Sequence, residues 1–313
     1  MSDVDILVPS YHRSDNLKTL RYFCGIGWEP SKIHILIDDE AGDEDKYREV
    51  CESYGCRLEV LNIAEQRRRF DYVHREPKSR RAAGMMRNAF CEYAEREGID
   101  FYLVMDDDTA SFQMKLCGKY QKVKITKEII CYVLNEIRAM MEVRGIGAFA
   151  LPQTGDFIGG TNSGYLYRPK MMNFVCYRTG YIRRGERGVQ DNDTSMFCGI
   201  LNEGLFCGSF ADGLVLSQTS SGTSSGTSSG GLTDLYHEQK LLNKALVVPI
   251  QFPSAVYGER QVMNGGRLHH HIDYRYLMPK ILKGTPGRDN IDWKKWPEDW
   301  PFTNEKIVKE YGE

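Results

Sequence analysis

The sequence predicts an α/β fold with a mostly parallel sheet flanked by helices. Short apolar runs alternate with amphipathic stretches across the first 145 residues, a pattern that gives βαβ units. Several runs stop at glycine, serine or clustered acid, as strands and helices do at a sheet rim. With 313 residues the chain can bury a full-sized core,. Ligands of such sheets sit beyond the carboxyl ends of the strands.

"VDILVPS" reads as a buried strand, and "HRSDNLKTLRYFC" follows with helical spacing after a cap at Ser14 or Asp15,. "SKIHILIDDE" is a second strand, ending in Asp38 and Asp39. "DEDKYREVCESYG" is a helix stopped at Gly55, and "RLEVLNI" a third strand,. "SRRAAGMMRNAFCEYAEREG" is a longer amphipathic helix closed by Gly98. "DFYLVMDDD" is the next strand and "TKEIICYVLNEIRAMMEVRG" the next helix. After Gly147 the texture changes to glycine and β-formers, read as strands and loops around a short helix starting near Asp193. Three copies of TSSG at 219–230 form a polar, flexible loop, either native or a replacement for a longer one,. A Trp/Pro-rich tail closes the chain and is expected to pack on the body.

Composition excludes several classes. Hydrophobic residues are 41% and charged residues 27%, as in soluble globular proteins,. No apolar run reaches the roughly 20 residues of a bilayer span, and the acidic N-terminus does not read as a signal peptide, so the cytoplasm is expected. The nine cysteines are scattered with no CxxC pair, which points to reduced thiols rather than zinc or disulfides. A net charge of −2 gives no bulk support for nucleic-acid binding,. Local basic clusters at Gln66–Phe70, Lys78–Arg87 and Tyr181–Gly188 are either solvated faces or phosphate contacts.

The chemistry concentrates at Asp106, Asp107 and Asp108. Three adjacent acids repel one another, and an apolar strand delivers them to the ligand-binding rim. If the chain stays extended, Asp106 and Asp108 share one side and Asp107 takes the other. Two carboxylates suit Mg²⁺ or Mn²⁺ bridging substrate phosphates; the bland alternative is a solvated acidic turn. The DxDxT nucleophile motif of haloacid-dehalogenase-like phosphatases fits less well, because Ala110 stands in the threonine position. In the second half, "GVQDNDTSMF" puts Asp191 and Asp193 at a helix start, as candidates for a general base, with Asn192 or Asp193 as a plain helix cap the alternative,. "LHHHIDY" supplies His269, His270 and His271; in an extended segment the first and third share a face,.

"VPSYHR", the acid-ended second strand, "RNAFCEYA" and "DFYLVMDDD" together resemble the nucleotide-sugar half of the GT-A glycosyltransferases. That resemblance implies a Rossmann-type, mostly parallel sheet in one continuous domain with an acceptor-side extension. Residues 1–110 would form the nucleotide-sugar-binding half, and 111–313 the acceptor and catalytic half with its loop at 219–230. Pro9, Tyr11, Arg13 and Asp38 would flank the nucleotide; Arg81 and Arg87 would bind diphosphate or cap the rim. Asp106 would reach the ribose, with Asp107 beside it. Asp108 would hold a divalent cation, Mn²⁺ or Mg²⁺, and His271, or His269, would return to it from the C-terminal part. "QDND" is similar to the ED-type motif of inverting members, so Asp191 would be the base; Gln190 replaces the preceding acid, which keeps Asp193 in competition.

Within that fold, "DDD", "QDND" and the "GG…HHH" segment resemble the phage-encoded glycosyltransferases of the TET/base-J-associated group. That implies a nucleotide-sugar donor, a UDP-sugar by family habit, and a hydroxymethylated pyrimidine of DNA as acceptor, with no membrane and no obligate protein partner. Arginine clusters would hold DNA phosphates, and Tyr165, Tyr167, Tyr177 or Tyr181 would stack on a flipped base or else simply pack. A GT-A enzyme acting on a glycan, lipid or protein is the alternative, and a non-enzymatic nucleotide- or DNA-binding module the second.

Overall fold

The computed structural model describes residues 3–69, 83–109, 111–116, 119–144, 146–152, 165–166, 174–180, 192–210, 213–217, 242–263, 267–273 and 276–277. Strands β1 (Asp5–Pro9), β2 (Ile33–Asp38), β3 (Arg57–Leu61) and β4 (Phe101–Val104) pair in parallel in the order β3-β2-β1-β4. Helices α1 (Lys18–Gly25), α2 (Glu44–Tyr54), α3 (Ile63–Arg69) and α4 (Ala83–Arg96) lie between them in sequence. The central strands β1, β2 and β4 are mostly apolar and buried because both faces are covered, whereas the edge strand β3, with Arg57 and Glu59, is only partly buried. Ile6 and Val8 enter one core cluster, and Leu7 the cluster on the other face. Each is fully buried, worth about 1.5–3 kcal/mol apiece. Gly55 and Gly98 follow α2 and α4 with φ of 76° and 67°, the left-handed stop that glycine reaches without steric cost.

Beyond β4 the sheet becomes mixed. Strands β7 (Ile146–Ala150), β8 (Tyr165–Leu166), β9 (Val175–Arg178) and β10 (Phe206–Phe210) continue it in the order β4-β9-β7-β10-β8. Strand β9 runs antiparallel to both of its neighbours. Strands β5 (Ser111–Leu116) and β6 (Lys119–Gln121) join β11 (Gly213–Ser217) in a small separate sheet. Helices α5 (Lys127–Arg144), α6 (Asn192–Asn202) and α7 (Leu242–Gln251) and a hairpin of β12 (Val256–Met263) with β13 (Arg267–Ile272) complete the described fold. Strand β7 passes so close to α6 that a Cβ on Gly147 would lie 2.9 Å from Ile200. One core cluster runs from Val4 to Leu214 and joins the two sheets. Among the described residues no helix is long and apolar enough to cross a membrane.

The cap expected at Ser14 or Asp15 is not there. Residues Ser14–Asn16 form a 3₁₀ turn, and α1 starts only at Lys18, without a side-chain cap. The first turn of a helix leaves N–H groups without partners, and here tertiary structure supplies one acceptor. The Thr19 N–H donates to the Asp107 carbonyl at 3.1 Å.

At the opposite end of the strands, His34 is fully buried between Asp5 and Tyr93. Its Nε2 lies 2.8 Å from Asp5 Oδ1 and its Nδ1 2.6 Å from the Tyr93 hydroxyl. A carboxylate only accepts, so Nε2 carries a proton and donates to Asp5, while Nδ1 shares a hydrogen bond with the Tyr93 hydroxyl,. Burial pushes the Asp5 carboxyl up, but hydrogen bonds from His34 and Lys32 outweigh it and hold the group below its ordinary value. Its folded pKa is therefore below its unfolded one. The stabilisation is present above the ordinary carboxylate range and lost as pH falls through it. His34→Ala is expected to cost about 2–4 kcal/mol in urea denaturation, through the loss of two buried hydrogen bonds and the cavity left by the ring,. The loss from Asp5→Asn should be largest near neutral pH and shrink as the pH is taken below about 4.

Candidate active site

Strands β1 and β4 are neighbours, so the segments that leave their carboxyl ends meet. Met105 N–H still donates to Leu7 O, 3.1 Å away. The chain then turns at Asp107 and Asp108 instead of running on extended. This turn, not strand alternation, sorts the three acids. Asp107 points inward and is buried; Asp106 and Asp108 keep side-chain exposures of 35% and 56%.

Asp107 is met by two donors. The Ser10 hydroxyl donates to Oδ2 at 2.6 Å and Arg13 Nη1 to Oδ1 at 2.8 Å. Ser10 has one proton and gives it to Asp107, so the Tyr47 hydroxyl, 2.8 Å away, donates to Ser10,. Tyr47 in turn accepts the Arg13 backbone N–H at 2.9 Å. Burial still lifts the Asp107 carboxyl above its usual value against the pull of Ser10 and Arg13. Arg13 is thus committed to the acidic turn itself, with Nη1 3.9 Å from Asp108 as well.

Asp106 faces a single arginine from α4: Arg87 Nη2 lies 3.3 Å from its Oδ1. Burial pushes this carboxyl up to about 6, with Asp108 and Asp107 adding to the rise and Arg87 opposing it. Among the described residues, two arginines, Arg87 at 3.3 Å from Asp106 and Arg13 at 3.9 Å from Asp108, stand against the three carboxylates of this turn. Hard carboxylate oxygens with a deficit of positive charge are a donor set that fits a divalent cation, whose remaining positions would fall to water and diphosphate. Among the described residues no three His, Cys, Asp or Glu side chains are grouped for a metal.

Other predicted residues lie on the same rim. Pro9 ends β1, and the Tyr11 and His12 rings lie 3.9 Å apart, His12 taking a left-handed φ of 53°. Asp38 ends β2, half-buried; burial raises its carboxyl, and Oδ1 accepts the Glu40 N–H at 3.0 Å. Asp39 Oδ1 accepts the Ile63 N–H at the start of α3. Arg81 and Asp191 lie outside the described residues. Helix α6 begins at Asn192, which puts Asp193 in its first turn instead of at a cap. The segment of His269 and His271 is indeed extended: His271 pairs with Tyr257 and His269 with Gln261 along the hairpin. Sequence reading missed Ser10, Thr19 and Tyr47 as parts of this site. A buried hydroxyl on a helix face looks like any other packing residue until the fold shows what it touches.

A model of the TET-associated glycosyltransferases matches residues 4–226. The chain belongs to that family. The match covers the rim, the acidic turn and the small sheet; the β12–β13 hairpin lies beyond it. No curated protein matches the sequence significantly. Similar solved structures include a mannosyltransferase from Pyrobaculum calidifontis in complex with GDP-Man and Mn²⁺, at 13% identity and TM-score 0.41, covering 65% of this chain and 53% of that one. TarS 1–349 of S. aureus with UDP matches at 14% identity and TM-score 0.42, over 69% of this chain and 61% of that one. Glucosyl-3-phosphoglycerate synthase from Mycobacterium tuberculosis, with Mn²⁺, UDP and phosphoglyceric acid, matches at 9% and 0.43, over 87% and 86%. The chain spans between about half and three fifths of the length of the first two.

In this member of the TET-associated family, part of the expected acceptor apparatus is otherwise engaged. Arg67 pairs with Glu40 at 3.0 Å and Arg69 with Glu92 at 2.7 Å, so two arginines of the first basic cluster are ion-paired within the fold. Most of the other two basic clusters lies outside the described residues. Tyr177 is a core residue, its ring 5.7 Å from that of Tyr102, so it does not stack on a ligand. Tyr167 and Tyr181 are outside the described residues. Eight of the cysteines are free thiols. The inward and outward acids should separate in stability measurements. Asp107→Ala, which removes the buried acceptor of both Arg13 and Ser10, is expected to cost about 3 kcal/mol in urea denaturation,, and Asp108→Ala less than about 0.5 kcal/mol.

Proposed function

We propose that this protein is a metal-dependent glycosyltransferase that moves a sugar from a nucleotide-sugar donor to a hydroxyl, and that the acceptor is a hydroxymethylated pyrimidine in DNA. One observation carries the reading. In a chain of the TET-associated family, Asp106 and Asp108 sit outward on the β1–β4 rim, their charge only partly met by Arg87 at 3.3 Å and Arg13 at 3.9 Å, while the middle acid is spent internally. Asp108 would hold the divalent cation, Mn²⁺ or Mg²⁺, with Asp106 between it and the ribose, and with His271 or His269 returning from the hairpin. Such a cation, when bound, neutralises charge on the leaving diphosphate.

The chain's own residues supply the rest. Arg87 faces Asp106 and is placed for diphosphate or for holding that carboxylate; Arg81 is its proposed companion. Pro9, Tyr11 and Asp38 line the nucleotide side, uridine being the expected base. Asp191, or Asp193 in the first turn of α6, takes the proton of the acceptor hydroxyl as it attacks the anomeric carbon, which favours inversion; a hexose is the expected sugar. Acceptor binding belongs near the small sheet. Ser111, just past the acidic turn, pairs with Ser217 at the end of β11, so the chain toward the TSSG loop departs from beside the turn. A GT-A enzyme acting on a glycan, lipid or protein is the second reading, and it shares the same donor site.

A donor screen in Mn²⁺ against hydroxymethylated and plain DNA, read by mass, tests the substrate. A hexose-sized gain on hydroxymethylated DNA alone is expected, with binding that weakens steeply as salt rises. Nucleotide release without any DNA labelling would leave the donor reading standing and end the DNA one. Asp108→Ala should abolish metal-dependent nucleotide release. Asp191→Ala should cut transfer by about 10²–10⁴-fold with donor affinity intact; unchanged transfer would move the base to Asp193.

A further inference from the structure

We propose that Thr19 is a positioning residue that holds the acidic turn in shape before metal or donor arrives. The proposal rests on the reading of Asp106 and Asp108 as the metal and donor site. Thr19 is the second residue of α1 and is fully buried. Hydroxyls of threonines within helices commonly bond to their own helix backbone. Here the hydroxyl leaves the helix. It donates to the Asp106 carbonyl at 2.5 Å and accepts the Thr109 N–H at 3.1 Å. The Thr19 N–H donates to the carbonyl of Asp107 at 3.1 Å. One residue thus binds the backbone of the turn at its start, middle and end.

The consequence is geometric. With the backbone of 106, 107 and 109 fixed to α1 and the Asp107 side chain fixed by Ser10 and Arg13, the directions in which the Asp106 and Asp108 side chains leave the backbone are set. What remains free is side-chain rotation. Sites of this kind need their groups held within roughly half an ångström, and mutual repulsion of three acids would otherwise splay the turn. Thr19 contributes no ligand and touches no reacting atom; it acts through Asp106 and Asp108.

Thr19→Val keeps the shape and removes the hydroxyl, and Thr19→Ser keeps the hydroxyl. Mn²⁺ affinity, read from the free-ion EPR signal, should fall by about tenfold in the valine variant, the equivalent of about 1.4 kcal/mol. The donor KM should rise with it, while kcat at saturating metal and donor changes little, and serine should restore both. Amide exchange adds a readout independent of turnover: the Thr109 N–H should be protected in metal-free wild type and Thr19→Ser, and exposed in Thr19→Val. Wild-type Mn²⁺ affinity in Thr19→Val would overturn the proposal. So would free exchange of the Thr109 amide in the metal-free wild type, a measurement that needs no variant to fold. If wild type itself binds no Mn²⁺, the functional reading falls, and the exchange measurement still decides whether Thr19 holds the turn.

Discussion

The rim of this protein depends on one buried carboxylate. Asp107 leaves water at a cost of several kcal/mol unless donors replace its hydration (roughly, for any buried ion). The donors come from a segment distant in sequence: Ser10 at the end of β1 and Arg13 just beyond it. Meeting that requirement fixes the path of the chain from β1 toward α1 as firmly as it fixes Asp107. Through Ser10 and the Arg13 backbone the network reaches Tyr47 on α2. A single acid therefore ties two adjacent strands to a helix at the place where this sheet would receive a ligand.

That arrangement also decides what the other two acids are free to do. Neighbouring carboxylates at about 4 Å repel by about 4 kcal/mol at an effective dielectric of 20, and three in a row need counter-charge. Arg13 serves the inner acid first and reaches Asp108 only at 3.9 Å. Burial lifts the Asp106 carboxyl to about 6, and Arg87, 3.3 Å away, opposes the rise without cancelling it. The shortfall lies on the outer side of the turn, where a cation and a diphosphate can approach. Among the described residues charge is sorted by direction: met by two close donors within the fold, and only partly met toward solvent.

Much of the fold was legible because doubly buried parallel strands write themselves as continuous apolar runs, as in "VDILV" and "IHILI",. Helix stops at Gly55 and Gly98 were legible because their left-handed backbone selects glycine. Strand β9, antiparallel between β4 and β7, was not, since strand order is a long-range choice that no local period records. The acids were identified by type and position, but their division into one inner and two outer groups follows from a turn, whereas period-two reasoning assumed extended chain. Thr19 and Tyr47 gave no signal because their partners lie on other elements. Ser14 and Asp15 gave a false one: the helix starts later and takes an acceptor from Asp107.

The site also straddles the sheet, and its two sides are built on different cores. The acidic turn and its support draw on the cluster containing Leu17, Leu20, Met105 and Tyr47. Helix α4, which carries Arg87, shares the second cluster with α6 through Ala89, Phe90, Met196 and Phe197. The hairpin bearing the histidines packs on this second cluster too, through Val256 and Ile272. In packing terms, then, the proposed base helix, Arg87 and the His hairpin are one group, and the acidic turn with Arg13 is another. The Arg87–Asp106 contact is a link between them, and it is a partly exposed ion pair of 3.3 Å rather than a packed surface. A diphosphate that drew Arg87 toward itself would therefore act directly on the joint between the two halves of the site.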